Sequence, residues 1–228
     1  MLWRGPVGGG AASGKMGAMI ASRARTTQYL KARVNTGRLV PSGLQGVIRN
    51  AVSTLVSAWS TTLSKLQQAG WSQYALNVTK ANRLGDLVHV AGVNWFVGNN
   101  TVRQQLGQDP ALDAPTDFNT GDILWGDVTV VAGGTQGTLT LTQAPADYGL
   151  GATDVIGFWA SPAFSTGREK WYGQYRLATT ILGNDTNVEF IFTTPFGDVG
   201  TTGKVQGKLR VSRADGRLSS PFTVTVQL

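Results

Sequence analysis

Apolar residues recur at three- and four-residue steps between Ser42 and Gly107, and at two-residue steps from Asp122 onward. The first rhythm belongs to helices that bury one face, the second to strands that bury one face. The strongest helical pattern is Leu44, Val47, Ile48, Ala51, Val52, Leu55, Trp59 and Leu63. It predicts a helix capped by Ser42, with Gln45 completing a capping box and Pro41 stopping helix before it. The other face reads Arg49, Asn50, Ser53, Thr54, Ser57, Ser60 and Thr61, one charge among seven. A solvated face ordinarily carries Lys and Glu pairs, so these small hydroxyls suit packing on the chain's own β part or on another subunit as well as mild solvation.

Ser64 and Gln67 predict a second capping box, opening a short helix with Leu66, Trp71, Tyr74 and Ala75 that completes a helical hairpin. Leu84 to Val90 reads as a turn and a short strand. A third helix follows from about Val93 to Leu106, with Trp95, Phe96, Val102 and Leu106 inward and Gly107 as C′. Gln108 to Asn119 (QDPALDAPTDFN) reads as a linker from its two prolines and three Asp.

Strands are expected at Leu124–Val131, Thr138–Thr142, Val155–Ala160, Tyr172–Ile181, Val188–Thr193, Val205–Ser212 and Pro221–Leu228. Gly133–Gly134 and Asp215–Gly216 mark turns. Seven short strands predict an antiparallel sandwich of immunoglobulin or fibronectin type. The expected class is therefore α+β: a basic, Gly-rich extended arm (1–41), a helical segment (42–107), a linker (108–119) and a β-sandwich domain (120–228).

Composition sharpens this picture. Charged residues make up 14% of the 228, against about 25% in an average domain, and there are 30 glycines. That fits turn-rich β-structure with much of its surface in contact. There is no Cys, which excludes disulfides and thiolate metal sites. No apolar run reaches the ~18 residues of a membrane span, and the N-terminus lacks the apolar core of a secretion signal. Charge is split along the chain. Residues 1–85 hold 11 Lys and Arg and no acid; the other nine and all 13 acids follow, so a +11 segment precedes a −4 segment. The basic segment calls for a negative partner: an acidic protein surface, nucleic acid, or the C-terminal half of another copy. Within 1–41, glycines break any helix while Met16, Met19, Ile20, Tyr29, Leu30 and Val34 supply apolar anchors, as in an arm that orders on a partner.

Candidate chemistry is sparse. Gly9 to Lys15 (GGAASGK) has the spacing of a phosphate-binding loop, but Met16 stands where Ser or Thr must hold magnesium and no apolar strand precedes it. A flexible Gly-rich arm explains it better. His89, the single histidine, lies in the alternating run Leu87–Val90 and reads as a packed or half-exposed strand residue. A Ser–His–Asp triad would need it as base, yet no serine has a nucleophile signature, and a metal site would lack Cys and a second His. No catalytic residue, cofactor or metal ligand is assigned, and the chain is not expected to be an enzyme. Candidate partner contacts are Arg23, Arg25, Tyr29, Lys31, Arg33 and Arg38 in the arm. Arg168, Glu169 and Lys170 form the polar tip of the β part, either a solvated loop or a contact loop. Trp125, Trp159 and Trp171 are residue types used in sugar sites, although core packing explains Trp159 more simply.

Three stretches carry a resemblance: GKMGAMIASRARTTQYLKARVN (Gly14–Asn35), SPAFSTGREKWYGQYRL (Ser161–Leu177) and LRVSRADGRLSSPF (Leu209–Phe222). Together they resemble a poorly characterised family of tailed-phage and prophage virion structural proteins. In that family a basic Gly-rich arm and a Trp-containing helical hairpin precede an immunoglobulin-like domain. The chain departs from it at Asn35–Pro41 (NTGRLVP), where a more Pro- and Asn-rich turn is expected. The resemblance implies a bacteriophage structural role, foremost a capsid cement or decoration protein clamping neighbouring major capsid subunits. It would sit on the virion surface after assembly in the host cytoplasm, as a homo-oligomer, a trimer being the state chosen. The alternatives are a tail, neck or fibre component, and a nucleic-acid-binding protein acting through residues 1–85.

Overall fold

The computed structural model describes residues 14–16, 19–24, 27–32, 43–81, 86–198 and 203–227. The chain divides between residues 43 and 44. Three strands belong to the first part: β1 (Gly14–Met16), β2 (Met19–Ala24) and β3 (Thr27–Ala32), paired antiparallel in that order, with Lys15 opposite Ile20 and Ser22 opposite Tyr29. These strands pair with one another, where an arm extended on a partner was expected. The proposed capping residue Ser42 and the remainder of the arm lie outside the described residues.

The second part begins with α1 (Gly43–Thr61) and α2 (Lys65–Asn77). The Ser64 hydroxyl accepts from Gln67 N at 3.2 Å while Gln67 Oε1 accepts from Ser64 N at 2.9 Å, the expected reciprocal cap. A two-residue ladder of β4 (Lys80–Ala81) and β5 (Leu87–Val88) leads to α3 (Gly92–Gln105). That helix ends as expected at Gly107, whose φ of +76° suits glycine. Gly107 N reaches Gln104 O and Gln108 N reaches Arg103 O, the paired bonds of a Schellman stop. At Gly92 the backbones of α2 and α3 nearly touch: a Cβ there would lie 2.7 Å from Ser72 N. The helices close over Leu55, Leu63, Trp71, Tyr74, Ala75, Trp95 and Phe96. Trp71 meets Tyr74 and Phe96 edge-on at 5.9 and 5.7 Å. Of the apolar residues carried by α2, Leu66 is 83% exposed, while Trp71, Tyr74 and Ala75 turn inward.

Seven strands follow: β6 (Thr129–Gly133), β7 (Gln136–Thr140), β8 (Val155–Ala160), β9 (Arg176–Leu182), β10 (Glu189–Thr193), β11 (Lys204–Ser212) and β12 (Phe222–Gln227). All pair antiparallel, in one sheet of order β10-β7-β6 and another of order β12-β11-β8-β9. Inward residues of both sheets share one core, including Val130, Leu139 and Phe192 of the first and Ile156, Phe158, Leu209 and Val211 of the second. Phe158 and Phe192 meet across it at 4.9 Å. The fold is therefore mixed α+β with antiparallel sheets. Two strands begin four or five residues later than expected. Residues 124–128 lie outside β6, since Gly126 turns through φ +61° and leaves Leu124 91% exposed. Residues 172–175 lie outside β9 because Tyr175 is held in a side-chain network described below.

The helices and the sheets belong to one compact unit. The stretch expected as a linker is fixed along its length. Trp71 Nε1 donates to Leu112 O at 3.0 Å, Asn100 bonds both N and O of Ala111, and Gln67 Nε2 donates to Asp113 Oδ1 at 2.9 Å. Buried Arg103 donates to Asp109 O and Arg213 O, and Asn99 donates to Gly216 O at 2.9 Å. Burial lowers the Arg103 pKa, with the charges of Asp215, Asp154 and Asp109 opposing. Arg217 adds ion pairs to Asp117 at 3.0 Å and Asp215 at 2.6 Å.

Tyr74 reports on this joint. Its hydroxyl donates to Asn119 O at 2.8 Å, and burial pushes its pKa up to about 12, Arg217 opposing. Tyrosine in an unfolded chain ionises near 10. Between those values the folded state holds a proton that the unfolded state has released, so this contribution is complete below pH ~10 and is lost as pH rises toward 12. Tyr74→Phe should cost about 1 kcal/mol at pH 7 and flatten the loss of stability between pH 10 and 12. Urea unfolding of both proteins at several pH values checks this. Equal slopes would mean that Tyr74 ionises as freely folded as unfolded.

Candidate functional site

The apolar stripe of α1 is only partly used. Leu55 is 1% exposed and Trp59 packs at 5.7 Å on Phe96, but Val47 is 62%, Ile48 41% and Val52 37% exposed, as is Val56, outside the stripe, at 52%. The expectation of one fully inward face therefore holds for the C-terminal half of the helix alone. The hydrophobic core of the hairpin reaches α1 at Leu55 and ends there. Beyond it, Val47, Ile48, Asn50, Ala51 and Thr54 line a groove of about 260 Å³, closed on the other side by Thr101, Gln104 and Gln105 of α3. Its walls are apolar or amide and hydroxyl, with no ionised group. Such a groove takes aliphatic side chains and gives amide hydrogen bonds at its rim; it offers no nucleophile, acid or base. Asn50 and Thr54, expected on the opposite face, thus share the groove with the apolar residues; Arg49, Ser53, Ser57, Ser60 and Thr61 are exposed, with the Ser60 and Thr61 hydroxyls turned back onto Ser57 O.

The tip of the β part is more ordered in its bonding than its sequence suggests. Arg168, Glu169 and Lys170 are exposed, as a contact loop requires. Arg168 lies over the Trp171 ring at 5.7 Å, and Phe164 stacks with that ring at 5.7 Å. Gln206, buried on β11, gathers the loop: its Oε1 accepts from Trp171 N at 3.1 Å and from the Tyr175 hydroxyl, and its Nε2 donates to Thr225 at 2.9 Å. Burial raises the Tyr175 pKa, keeping that hydroxyl a donor.

Of the arm candidates, Arg23 falls on β2 and Tyr29 and Lys31 on β3, while Arg25, Arg33 and Arg38 lie outside the described residues. His89 is exposed just after β5, its Nδ1 3.1 Å from Ala75 O. Trp125 is core and Trp159 half-buried. Among the described residues, no three His, Asp or Glu come together as metal ligands, and no helix is long and apolar enough to cross a membrane. The α1–α3 groove was missed by sequence reasoning. The signal that could have found it is a stripe too wide for one short hairpin to cover.

No protein-family model matches the chain, and no curated protein matches it. Among solved structures it is similar to a family 76 glycoside hydrolase from a bovine Bacteroides thetaiotaomicron strain, at 10% identity and a TM-score of 0.31. That alignment covers 45% of this chain and 20% of the hydrolase, a likeness too slight to carry fold or function.

Proposed function

We propose that the chain is a virion structural protein of a tailed phage, a cement or decoration protein that docks on capsid subunits through its basic N-terminal region and α1. The observation that carries this reading is the uncovered apolar surface of α1: four aliphatic side chains, 37–62% exposed, lie on a helix that follows a segment without acids. Covering such side chains is favourable by roughly 1 kcal/mol each, and the cations of residues 1–85 add attraction to an acidic surface. The resemblance of Gly14–Asn35, Ser161–Leu177 and Leu209–Phe222 to phage structural proteins supplies the partner. We read the β part as an immunoglobulin-like module standing off that surface. Lettered A to G in chain order, its strands fall into sheets E-B-A and G-F-C-D, which keeps the A-B-E and C-F-G groupings of that architecture and moves D across.

The test is binding of purified full-length protein to DNA-free capsids across a salt series, together with copy number in purified virions. Hundreds of copies and undiminished binding to empty shells, with moderate loss as salt rises, are expected. A dozen copies or fewer would move the protein to the neck or fibre. Binding only when the genome is present, with a steep salt dependence, would assign the basic segment to nucleic acid.

A further inference from the structure

Strands β6, β7 and β10 turn Val130, Leu139 and Phe192 into the core, so the residues alternating with these form an outer face. The register sets Ile191, Thr138 and Val131 side by side across the middle of that face, with Glu189, Thr140 and Thr129 in the next row. Neighbouring strands lie about 4.8 Å apart, so Ile191 and Val131 flank Thr138 at about 10 Å from each other. Both aliphatic side chains stand open to water: Ile191 is 73% and Val131 67% exposed.

The charge of this face narrows what covers it. The chain holds 20 Lys and Arg, yet β6, β7 and β10 contain none, and Glu189 is their one acid. Nucleic acid and other polyanions bind through cations, which these strands lack. A strongly charged protein surface would lose water here against threonine and aliphatic groups, without a counter-charge. The face therefore fits a surface as neutral as itself. Two copies of a chain with a formal charge of +7 repel wherever their cations meet, and on these strands there are none to meet.

We propose that this face pairs with the same face of a second copy of the chain, sheet on sheet. A two-fold axis along β7 sets Thr138 against Thr138 of the partner subunit. It lays Ile191 over Val131 of the partner subunit, and Val131 over Ile191 of the partner subunit, so each aliphatic meets an aliphatic. Sheets packed this way stand about 10 Å apart with strands within about 30° of each other. Glu189 falls over Thr129 of the partner subunit, which leaves the two carboxylates on opposite flanks, about 10 Å apart or more. The face measures about 14 by 17 Å, a fraction of the ~800 Å² that each partner gives a stable interface. The pair therefore forms where copies are concentrated and comes apart on dilution.

The chain has no Cys, so one introduced thiol marks the axis. Full-length Thr138→Cys is treated with a short bis-maleimide beside Thr180→Cys, an exposed position on β9 of the other sheet. At about 1 mM protein, Thr138→Cys should give roughly ten times the crosslinked dimer of Thr180→Cys, and at about 10 µM hardly any. The yield should rise with salt, which screens the basic segments and leaves apolar contact intact. Adding Ile191→Lys or Val131→Glu should cut it about tenfold, since each change enters the pair twice. Both positions are exposed, so each variant should melt within a few degrees of wild type. Mixing the two variants should restore crosslinking between them, because across the axis the new ammonium faces the new carboxylate. Equal yields from the two thiols, a dimer that neither substitution weakens, or a mixture that fails to recover overturns the proposal. So does a dimer that weakens as salt rises, which would place the basic segment of one copy on the acidic half of another. The capsid reading of α1 stands apart from each of these results, since no capsid is present in the assay.

Discussion

Trp71→Ala is expected to lower the melting temperature of the full chain by roughly 10–15 °C. Trp71 is fully buried and packs edge-on against Tyr74 and Phe96. Truncating a buried Trp costs about 3–5 kcal/mol, and a unit of this size loses about 2–4 °C per kcal/mol. The lost indole N–H also leaves Leu112 O without its donor. Because that bond ties α2 to the strap between helices and sheets, the loss should appear as one transition displaced downward. Circular dichroism at a helical and a β-sensitive wavelength would show it. A helical signal that melts early while the sheet signal keeps its wild-type midpoint would mean that the two layers are not one cooperative unit.

Val47→Asp combined with Val52→Asp should abolish attachment to capsids, by a hundredfold or more, while leaving the melting temperature within a few degrees. Both side chains are substantially exposed, so folding loses little apolar burial. Asp and Val have similar helix propensity, which keeps α1 intact. In the docked state two carboxylates would replace aliphatic contacts worth roughly 2 kcal/mol together and would have to be desolvated as well. The control is Ser53→Asp with Ser57→Asp on the opposite, hydroxyl-rich face, which should bind as wild type. If the serine pair abolishes attachment and the valine pair does not, the docking face is the hydroxyl one and the reading of the exposed aliphatic surface of α1 is wrong.

Local signals foretold much of this architecture. The Ser64–Gln67 box and the Gly107 stop are decided by bonds within a few residues, so the sequence pattern locates them well. Val155–Ala160 was found to the residue because six apolar positions in a row admit a buried strand. Long-range partners were not legible. Asn99, Asn100 and Arg103 lie on α3 among residues that look solvated, yet each is buried by carbonyls that the chain brings from 11, 6 or more than 100 residues away. The prolines and Asp of 108–119 signal a turn-rich path, but not whether that path is free or fastened. On α1, periodicity identifies an apolar stripe without saying how much of it this chain covers. For the tip, Arg168 and Lys170 could be named from polarity, whereas the Tyr175–Gln206 support depends on β11 arriving beside the loop 31 residues later.

The fastening of residues 108–119 has a mechanical consequence. A soft tether extends under almost no load, so whatever it carries swings and points in many directions. Here a pull on the helices is shared at once by Trp71, Asn99, Asn100, Arg103 and Arg217, whose bonds act side by side. The sheets therefore stand on the helices as on a pedestal. The tip at Arg168 therefore keeps one heading relative to the helices instead of swinging on a tether.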